Sequence, residues 1–483
     1  MYKKSVLAVA MAATLAMPLF AAAADDPDLA QIREQIRQMK DDYETRIRAL
    51  ERRLQEAEAK TERIAAQAQR PATEQGGAPT AVAGAPPPAP NTASAAGAAT
   101  ANAYNPAMSL ILGGTYARLS QDPNRYRIQG FVPGGEEVGP GSRNFNLGES
   151  ELTFSANVDH RFSGQLTFSV AQDNSVSVEE AFFRTQGLAG GVNLMAGRFL
   201  SGIGYLNSQH AHAWDFTDAP LAYQALFGGQ YKNDGLQLKW LAPTDQFLEL
   251  GVELGRGATF PGTDRNQNGI ASAAAFVHLG DDLGDSGSWR LGLSYLRNQS
   301  AERTYEDIDR TGAAVTNAFT GRTGTWIADA IYKWAPNGNA TQTNFKLQGE
   351  YFRRKEDGTL TYDTLAQAQG TTPGSYTAVQ SGWYVQGVYQ FMPQWRVGLR
   401  YDQLYSGTPR LSSVDDGTLA AADFSRLLSY NPSRSTVMVD YSPSEFSRFR
   451  VQLARDQSRP GVTDNQLFLQ YIMSLGVHGA HTF

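Results

Sequence analysis

From Ala107 to the end of the chain, apolar residues recur with a period of two. Even positions are apolar in residues 152–158 and 326–334, and odd positions are apolar in residues 395–401, with mostly polar residues between them. A period of two predicts β-strands with one apolar and one polar face. A strand of ~10 such residues can cross a bilayer, whereas a helix needs ~20 apolar residues in a row. Beyond the N-terminus no apolar run is long enough for such a helix, so a soluble sandwich and a membrane barrel are the two candidate architectures.

The connections between the strands favour the barrel. We count sixteen strands, and every second connection is short, as at residues 159–162 and 391–393, whereas most of the others are predicted to run from 15 to over 30 residues. Short turns on one rim and long loops on the other are typical of outer-membrane barrels, and an even count puts both ends on the short-turn, periplasmic side. A last strand that closes on Phe483 is typical of chains recognised by the outer-membrane assembly machinery. We therefore predict an all-β transmembrane barrel of 16 antiparallel strands over residues 107–483. Its lipid-facing side should carry Trp240, Trp289, Trp326, Trp334 and Trp395.

Three segments precede the predicted barrel. Residues 1–24 have a charged start, an apolar stretch and an A-x-A motif, which predicts a signal peptide and export. Residues 25–70 carry apolar or small residues at heptad spacing with one stutter, which favours a coiled-coil helix that associates with copies of itself. A lone amphipathic helix lying on another surface is the alternative. Residues 71–106 are rich in Pro and Ala, which predicts a disordered linker.

Composition excludes several classes of function. The chain has no Cys, which excludes a disulfide scaffold, a Cys-ligated zinc or iron–sulfur site and a thiol nucleophile. The net charge is −6 and there is no block of basic residues, so we expect no nucleic acid partner. The motifs of common hydrolases, zinc proteases, P-loop proteins and dinucleotide-binding enzymes are absent from the sequence, and we expect no enzymatic activity.

Several segments resemble known outer-membrane proteins. Residues 178–183 (VEEAFF), 187–190 (GLAG) and 196–199 (AGRF) resemble a strand–turn–strand unit of the phosphate-selective-type porins. Residues 148–152 and 210–216 are similar to segments of barrels labelled zinc-regulated TonB-dependent outer-membrane receptors. Together with further segments the likeness covers most of residues 105–483, and the coiled coil is similar to the N-terminal helices of some trimeric porins. Energy-coupled receptors have about 22 strands around a plug, for which this chain is too short.

The resemblance implies a homotrimer in the outer membrane of a Gram-negative bacterium, surrounded by lipid and with its coiled coil in the periplasm. It also implies a water-filled channel for small hydrophilic solutes or ions. Two alternatives stay open: a dedicated uptake pore for zinc or a metal complex, and a structural tether whose coiled coil contacts the cell wall or a periplasmic partner. The sequence names neither the solute nor the ion preference.

The third long loop, residues 198–229, is the predicted constriction of the channel. It carries six large apolar side chains, which a freely solvated loop would not need. Docking inside the lumen would bury them, and packing over the mouth or against a neighbouring subunit is the alternative. The apolar residues are Trp214, Phe216, Leu221, Tyr223, Leu226 and Phe227, and the residues assigned to the constriction are Trp214, Asp215 and Asp218.

Charged residues are predicted to line the lumen. Phasing each strand with its apolar face toward lipid turns five arginines inward as a basic wall, and it turns two glutamates of one other strand inward as well. Opposed charges across a pore favour charged solutes, although solvated arginines without such a role are the alternative. The predicted pore-lining residues are Arg396, Arg400, Arg434, Arg448, Arg450, Glu249 and Glu253.

Two short patterns suggest metal ligands. His210, His212 and Asp215 form an H-x-H-x-x-D pattern whose donors suit Zn²⁺, with hydrogen bonds that hold the loop as the alternative. Residues 264–269 resemble the start of a calcium loop, but Ala275 stands where a bidentate acid is needed, so a solvated turn is favoured over Ca²⁺. His478 and His481 are assigned to the assembly tail.

Overall fold

The computed structural model describes residues 106–476, except 133, 135–137, 149 and 172–174. The predicted signal peptide, coiled coil and linker, together with His478, His481 and Phe483, lie outside the described residues. Within residues 106–476 as described, no helix has both the length and the apolar composition needed to cross a membrane.

Sixteen antiparallel strands form a closed barrel, as predicted. Each strand pairs with its neighbours in the chain, and the ring closes because β1 pairs with both β18 and β3. Two short strands, β2 and β15, lie between barrel strands. The strands are β1 (Ala107–Leu119), β2 (Asn144–Leu147), β3 (Ser150–Asn157), β4 (Phe162–Val170), β5 (Val176–Thr185), β6 (Val192–Leu200), β7 (Lys232–Leu241), β8 (Phe247–Gly255), β9 (Ser272–Leu283), β10 (Gly287–Ile308), β11 (Ala314–Trp334), β12 (Asn344–Tyr362), β13 (Thr372–Met392), β14 (Trp395–Tyr405), β15 (Arg410–Leu411), β16 (Ser433–Ser444), β17 (Ser447–Arg459) and β18 (Val462–Gly476).

The helices are short. The α-helices are α1 (Leu221–Phe227) and α2 (Ser412–Asp415), and 3₁₀ turns cover Pro123–Arg125, Ala189–Gly191, Ala211–Ala213, Pro336–Gly338, Ala421–Asp423 and Ser425–Leu427.

The two faces of the barrel wall differ in polarity. In β14, for example, Leu399 and Tyr401 are exposed while Arg400 and Asp402 are buried. Exposed apolar side chains at alternate positions form the outer, lipid-facing surface, and the polar side chains between them face the lumen. The five predicted tryptophans lie on the outer face. Trp240, Trp326 and Trp395 are exposed, and Trp289 and Trp334 have the same parity as exposed residues of their strands.

Strands β10 to β13 are longer than a bilayer requires. They contain 19 to 22 residues each, about twice the ~10 that a crossing needs. The prediction of long loops is therefore wrong for residues 309–313 and 363–371, which are tight connections between extended strands.

The extended strands stay paired because their inner face has apolar partners. Tyr305, Phe319 and Tyr376 on that face pack in one buried cluster with Leu411 and Phe424 of the long loop between β14 and β16. The extensions and this loop thus stabilise each other. Long loops remain at residues 120–149, 201–231, 256–271 and 406–432.

Candidate functional site

The loop at residues 201–231, between β6 and β7, is closed at its base by one asparagine. The Asn207 side-chain amide donates to the carbonyl oxygens of Ser201 (2.8 Å) and Tyr231 (2.9 Å), and its oxygen accepts the Tyr231 N–H (2.7 Å). The two ends of the loop are therefore held together, and its middle is free to extend from the wall into the lumen. We call residues 201–231 the lumen loop.

The apolar residues of the lumen loop are buried among inward-facing side chains of the barrel. All seven residues of α1 are buried, and Gly228 ends the helix at a φ of 70°, which glycine adopts without strain. The Tyr223 ring lies 5.1 Å from the Phe352 ring of β12, and both belong to a buried cluster that also contains Tyr384 and Leu404 of β13 and β14. Trp214 and Phe216 are buried as well. The loop therefore packs on the inner wall and not over the mouth.

A buried carboxylate of β12 anchors the first part of the loop. Glu350 accepts the backbone N–H groups of Tyr205 (3.2 Å) and Leu206 (3.0 Å). It also accepts the hydroxyl groups of Tyr223 (2.9 Å) and Tyr384 (2.6 Å). Four donors on one buried carboxylate join the loop to two strands of the wall. The sequence pattern did not single out Glu350, although its inward parity follows from the alternation of β12.

Asp218 joins the tip of the loop to the opposite arginines. Its carboxylate lies 2.7 Å from Arg400 Nη2 and 2.6 Å from Arg434 Nη1, and it accepts the Gln452 side-chain N–H at 3.0 Å. Burial would raise the pKa of Asp218, but Arg434 and Arg400 outweigh that effect and lower it. Asp402 of β14 lies 3.2 Å from Arg400 Nε and 3.5 Å from Arg434 Nε. Both arginines are thus neutralised from two sides.

Asp215 has a second set of cations. Its carboxylate lies 2.6 Å from Lys346 Nζ and 3.2 Å from Arg396 Nη1. Arg396 also pairs with Asp440 of β16, which lies 2.7 Å from Arg450 Nε. The carboxylates of Asp402 and Asp440 were missing from the predicted site, although both are at inward positions of strands that carry the predicted arginines.

The remaining two arginines hold the loop backbone. Arg450 donates to the carbonyl oxygen of Trp214 at 2.9 Å, and Arg448 donates to that of His212. All five predicted arginines therefore face inward and contact the loop or its partners. Four of them pair with aspartates.

The two predicted glutamates have different surroundings. Glu253 is buried and accepts the Ser201 hydroxyl (2.6 Å) and the Gly202 N–H (2.8 Å), so it anchors the start of the loop. Glu249 is 21% exposed and lies 3.0 Å from His278 Nδ1 and 3.7 Å from Lys239 Nζ. Neither glutamate contacts the arginines of β14, β16 or β17.

Partly exposed Lys and Arg side chains lie near the short-turn rim of the lumen. Six inward-facing basic residues of intermediate exposure lie within three residues of the short-turn ends of their strands, and we call them the basic vestibule. The side chains of four of them are 18–30% exposed. Four carboxylates accompany them: Asp215, Glu249, Asp329 and Asp440. The vestibule consists of Lys239, Arg290, Lys333, Lys346, Arg396 and Arg448.

The predicted trio of His210, His212 and Asp215 is not brought together, because Asp215 turns toward Lys346. Three glutamates take its place. His210 Nδ1 lies 3.1 Å from Glu151 and 3.3 Å from Glu179, and its Nε2 lies 3.1 Å from Glu180. His212 Nδ1 lies 2.7 Å from the other oxygen of Glu151. We call these five residues the His–Glu cluster.

Within this cluster, burial works against a charge on His210. The hydrogen bonds with Glu151, Glu179 and Glu180 outweigh it and raise the pKa of His210 well above its ordinary value. The three glutamates come from β3 and β5, whose spacing in the chain gives no signal that they meet two histidines of the loop.

The calcium-like pattern forms an exposed turn. Asp264 accepts the Asn266 N–H at 3.1 Å and pairs with Arg256 at 2.5 Å, and the side chains of Arg256 and Asp264 are about half exposed. Its carboxylate is therefore engaged by a protein cation.

Comparisons with known proteins give the following likenesses. No protein-family model matches the chain. An uncharacterized protein of Aquifex aeolicus (strain VF5) is 28% identical over 414 residues, which cover 79% of this chain and 80% of the relative. OmpT of Vibrio cholerae in a trimer form is 10% identical, with a TM-score of 0.47 over 76% of this chain and 98% of that one. An anion-selective porin from Comamonas acidovorans is 10% identical (TM-score 0.45, 77% and 99%). OmpF of Salmonella typhi in complex with daunomycin is 13% identical (TM-score 0.46, 77% and 99%). The architecture given above follows from the strand pairing of this chain alone.

Proposed function

We propose that the chain is an outer-membrane porin, a water-filled channel for small hydrophilic solutes that the lumen loop narrows. The observation that carries this proposal is a closed barrel with an apolar outer face and a polar, charged inner face. A barrel of sixteen strands is wide enough for an aqueous channel. The contacts of Asp215, Asp218 and Trp214 with the wall support a constriction at the depth of the loop.

The channel should prefer anions. The basic vestibule places six cations against four carboxylates, and the side chains of Lys239, Arg290 and Arg396 reach solvent. The arginines that are fully buried, such as Arg400, have aspartate partners and contribute less to the field in the pore. A unit charge acts on an ion 10 Å away with about 0.4 kcal/mol in water, which is about a twofold change in local concentration. A few unbalanced cations thus suffice for a measurable bias at low ionic strength.

The same proposal includes a homotrimer whose coiled coil extends into the periplasm. The support is the heptad pattern of residues 25–70, because a narrow apolar seam is buried best by identical helices. The exposed apolar outer face would contact lipid and neighbouring barrels.

A dedicated pore for zinc or a metal complex is the second candidate. The observation that favours it is the His–Glu cluster, which joins His210 and His212 to three carboxylates. Blockade of the channel current by micromolar Zn²⁺ would favour this candidate over a general porin.

Single-channel recording of the purified protein in planar bilayers tests the proposal. We expect stepwise conductance and, under a salt gradient, a reversal potential of the sign for anions. The double variant K239Q/K333Q removes two vestibule charges with little change in size. At low salt it should lower the ratio of anion to cation permeability by up to about sixteenfold, because each charge changes the local anion and cation concentrations about twofold in opposite directions.

The matched control is R353Q/K355Q, which removes the same charge from two exposed positions on the outer face of β12. Its reversal potential should equal that of the wild type. Absence of any conductance would overturn the porin proposal, and an equal shift in both double variants would overturn the role of the vestibule.

A further inference from the structure

Strand β5 contains a bulge that turns two successive glutamates to the same side. Thr167 of β4 pairs with Glu180 and the next residue, Phe168, pairs with Val178, so Glu179 is the extra residue. Neighbouring side chains of a regular strand point to opposite faces. Here Glu179 and Glu180 are both buried and both contact His210. A bulge that re-aims a side chain is a recurrent device beside functional sites.

The His–Glu cluster has the donors of a metal site at the right separations. One ligand atom each from Glu151, His210 and His212 lies within 4.8 Å of the other two. The carboxylate–imidazole distances of 2.7–3.3 Å are close to the ~3.3 Å that separates two donors of a tetrahedral ion with bonds of ~2.0 Å. Glu151, His210 Nδ1 and His212 could therefore share one ion, whereas His210 Nε2 faces Glu180 on the other side of the ring.

One oxygen of the cluster is left over. Glu179 is 1% exposed, and its Oε1 has no hydrogen-bond partner among the described residues. A buried carboxylate oxygen without a partner is costly. In the described part of the chain no Lys or Arg nitrogen lies within 4.0 Å of Glu151, Glu179 or Glu180. Among the described residues, three carboxylates thus face two imidazoles, and a divalent cation would add positive charge and could take the unpartnered oxygen as a ligand.

We propose that Glu151, Glu179, His210 Nδ1 and His212 bind one divalent transition-metal ion, which fastens the lumen loop to β3 and β5, while Glu180 holds the other nitrogen of His210. Mixed imidazole and carboxylate donors suit Zn²⁺ and its neighbours, whereas Ca²⁺ prefers six to eight oxygen ligands. The ion has access from the lumen, because the side chains of His210 and His212 are 21% and 10% exposed. The proposal goes beyond the porin function and does not depend on conduction.

Titration calorimetry of the full chain in detergent, after treatment with a chelator, tests this site with Zn²⁺ and Ca²⁺ as probes. We expect one tight Zn²⁺ equivalent per chain and no comparable binding of Ca²⁺. The H210A/H212A variant should lose that equivalent. H160A removes a histidine from an exposed turn and should keep it.

A second variant covers the case in which H210A/H212A does not fold. E179Q keeps the size of the side chain and removes a ligand, so it should weaken Zn²⁺ binding by about tenfold or more. Folding of each variant is checked by its heat-sensitive migration in a denaturing gel. The proposal would be overturned if the wild type did not bind Zn²⁺. It would also be overturned if E179Q and H210A/H212A bound Zn²⁺ as tightly as the wild type.

Limited proteolysis tests whether the bound ion fastens the lumen loop. At a Zn²⁺ concentration that saturates the wild type but not E179Q, protease cleavage within residues 201–231 should slow at least several-fold in the wild type and much less in E179Q. Equal cleavage of the wild-type loop with and without Zn²⁺ would show that the ion does not fasten it.

Discussion

Replacing Asp218 by Asn tests whether charge holds the tip of the lumen loop. The substitution keeps the size of the side chain and removes the carboxylate that Arg400 and Arg434 share. Among the described residues, Asp402 is then the one carboxylate within 4.0 Å of the two guanidinium groups, at 3.2 and 3.5 Å. Removing one partner of a buried ion pair costs about 3–5 kcal/mol, because the other charge stays buried without compensation.

This cost falls on the docked loop alone. When the tip leaves the wall, water can solvate Arg400 and Arg434, so the undocked state of D218N is not penalised. A loss of about 3 kcal/mol raises the undocked population of the tip by about a hundredfold. We therefore expect a larger and noisier single-channel current from D218N than from the wild type, while the barrel stays folded.

The control for D218N is D264N. Asp264 also pairs with an arginine, Arg256, but both side chains are about half exposed, and such pairs contribute at most about 1 kcal/mol. D264N should conduct as the wild type does. If D218N shows the conductance, current noise and protease resistance of the wild type, the ion pairs do not hold the loop and the reasoning is refuted.

Three further outcomes are expected. Gly197 has a φ of 129°, and a Cβ there would lie 2.2 Å from the Ala181 oxygen, so Gly197→Ala should destabilise the barrel by about 2 kcal/mol or more. A Cβ at Gly114 would have no atom within 4 Å, so Gly114→Ala should not destabilise the barrel. Equal unfolding temperatures of the two variants in denaturing gels would contradict this expectation. Hydrogen bonds from Thr311 lower the pKa of Asp309, and backbone N–H groups lower the pKa of Asp363 against the effect of burial. Their contribution to the loops after β10 and β12 is complete above the unfolded pKa of about 3.9 and is lost as pH falls through the lower folded values. Carboxyl carbon NMR should place both midpoints below 3.9, and midpoints at or above it would refute the assignment. Deleting residues 25–70 should weaken the trimer and leave a conducting barrel. Native mass measurement checks the oligomeric state, and a full-length protein that is only monomeric would contradict the trimer.

The strand order followed from the sequence because alternation is a local property. Each of the sixteen barrel strands was recognisable from its own residues, and the short turns fixed the pairing of neighbours. The lengths of β10 to β13 were not recognisable, because a strand ends where its partner ends. Tyr305 and Phe319 look like loop residues until Phe424, over a hundred positions later, supplies the surface on which they pack.

The candidate site was predictable in part, again because the alternation of each strand is a local property. Inward parity placed Arg400 and Arg434 in the lumen, and the apolar content of residues 198–229 indicated that the loop is buried. The partners were not predictable, since Asp215 could reach either the histidines or Lys346. Glu179 was hidden by its bulge, which shifts the register by one residue and gives no sign in the alternation of β5.

The distance along the chain between the lumen loop and its anchors sets an order of events in folding. Arg400 is 182 residues from Asp218, Arg434 is 215 residues from Ala219, and Arg450 is 236 residues from Trp214. Contacts of such long range carry a large loop-closure entropy and form late. The loop tip cannot dock before β14, β16 and β17 have joined the wall. The channel of a nascent barrel therefore stays wide until these three strands are in place.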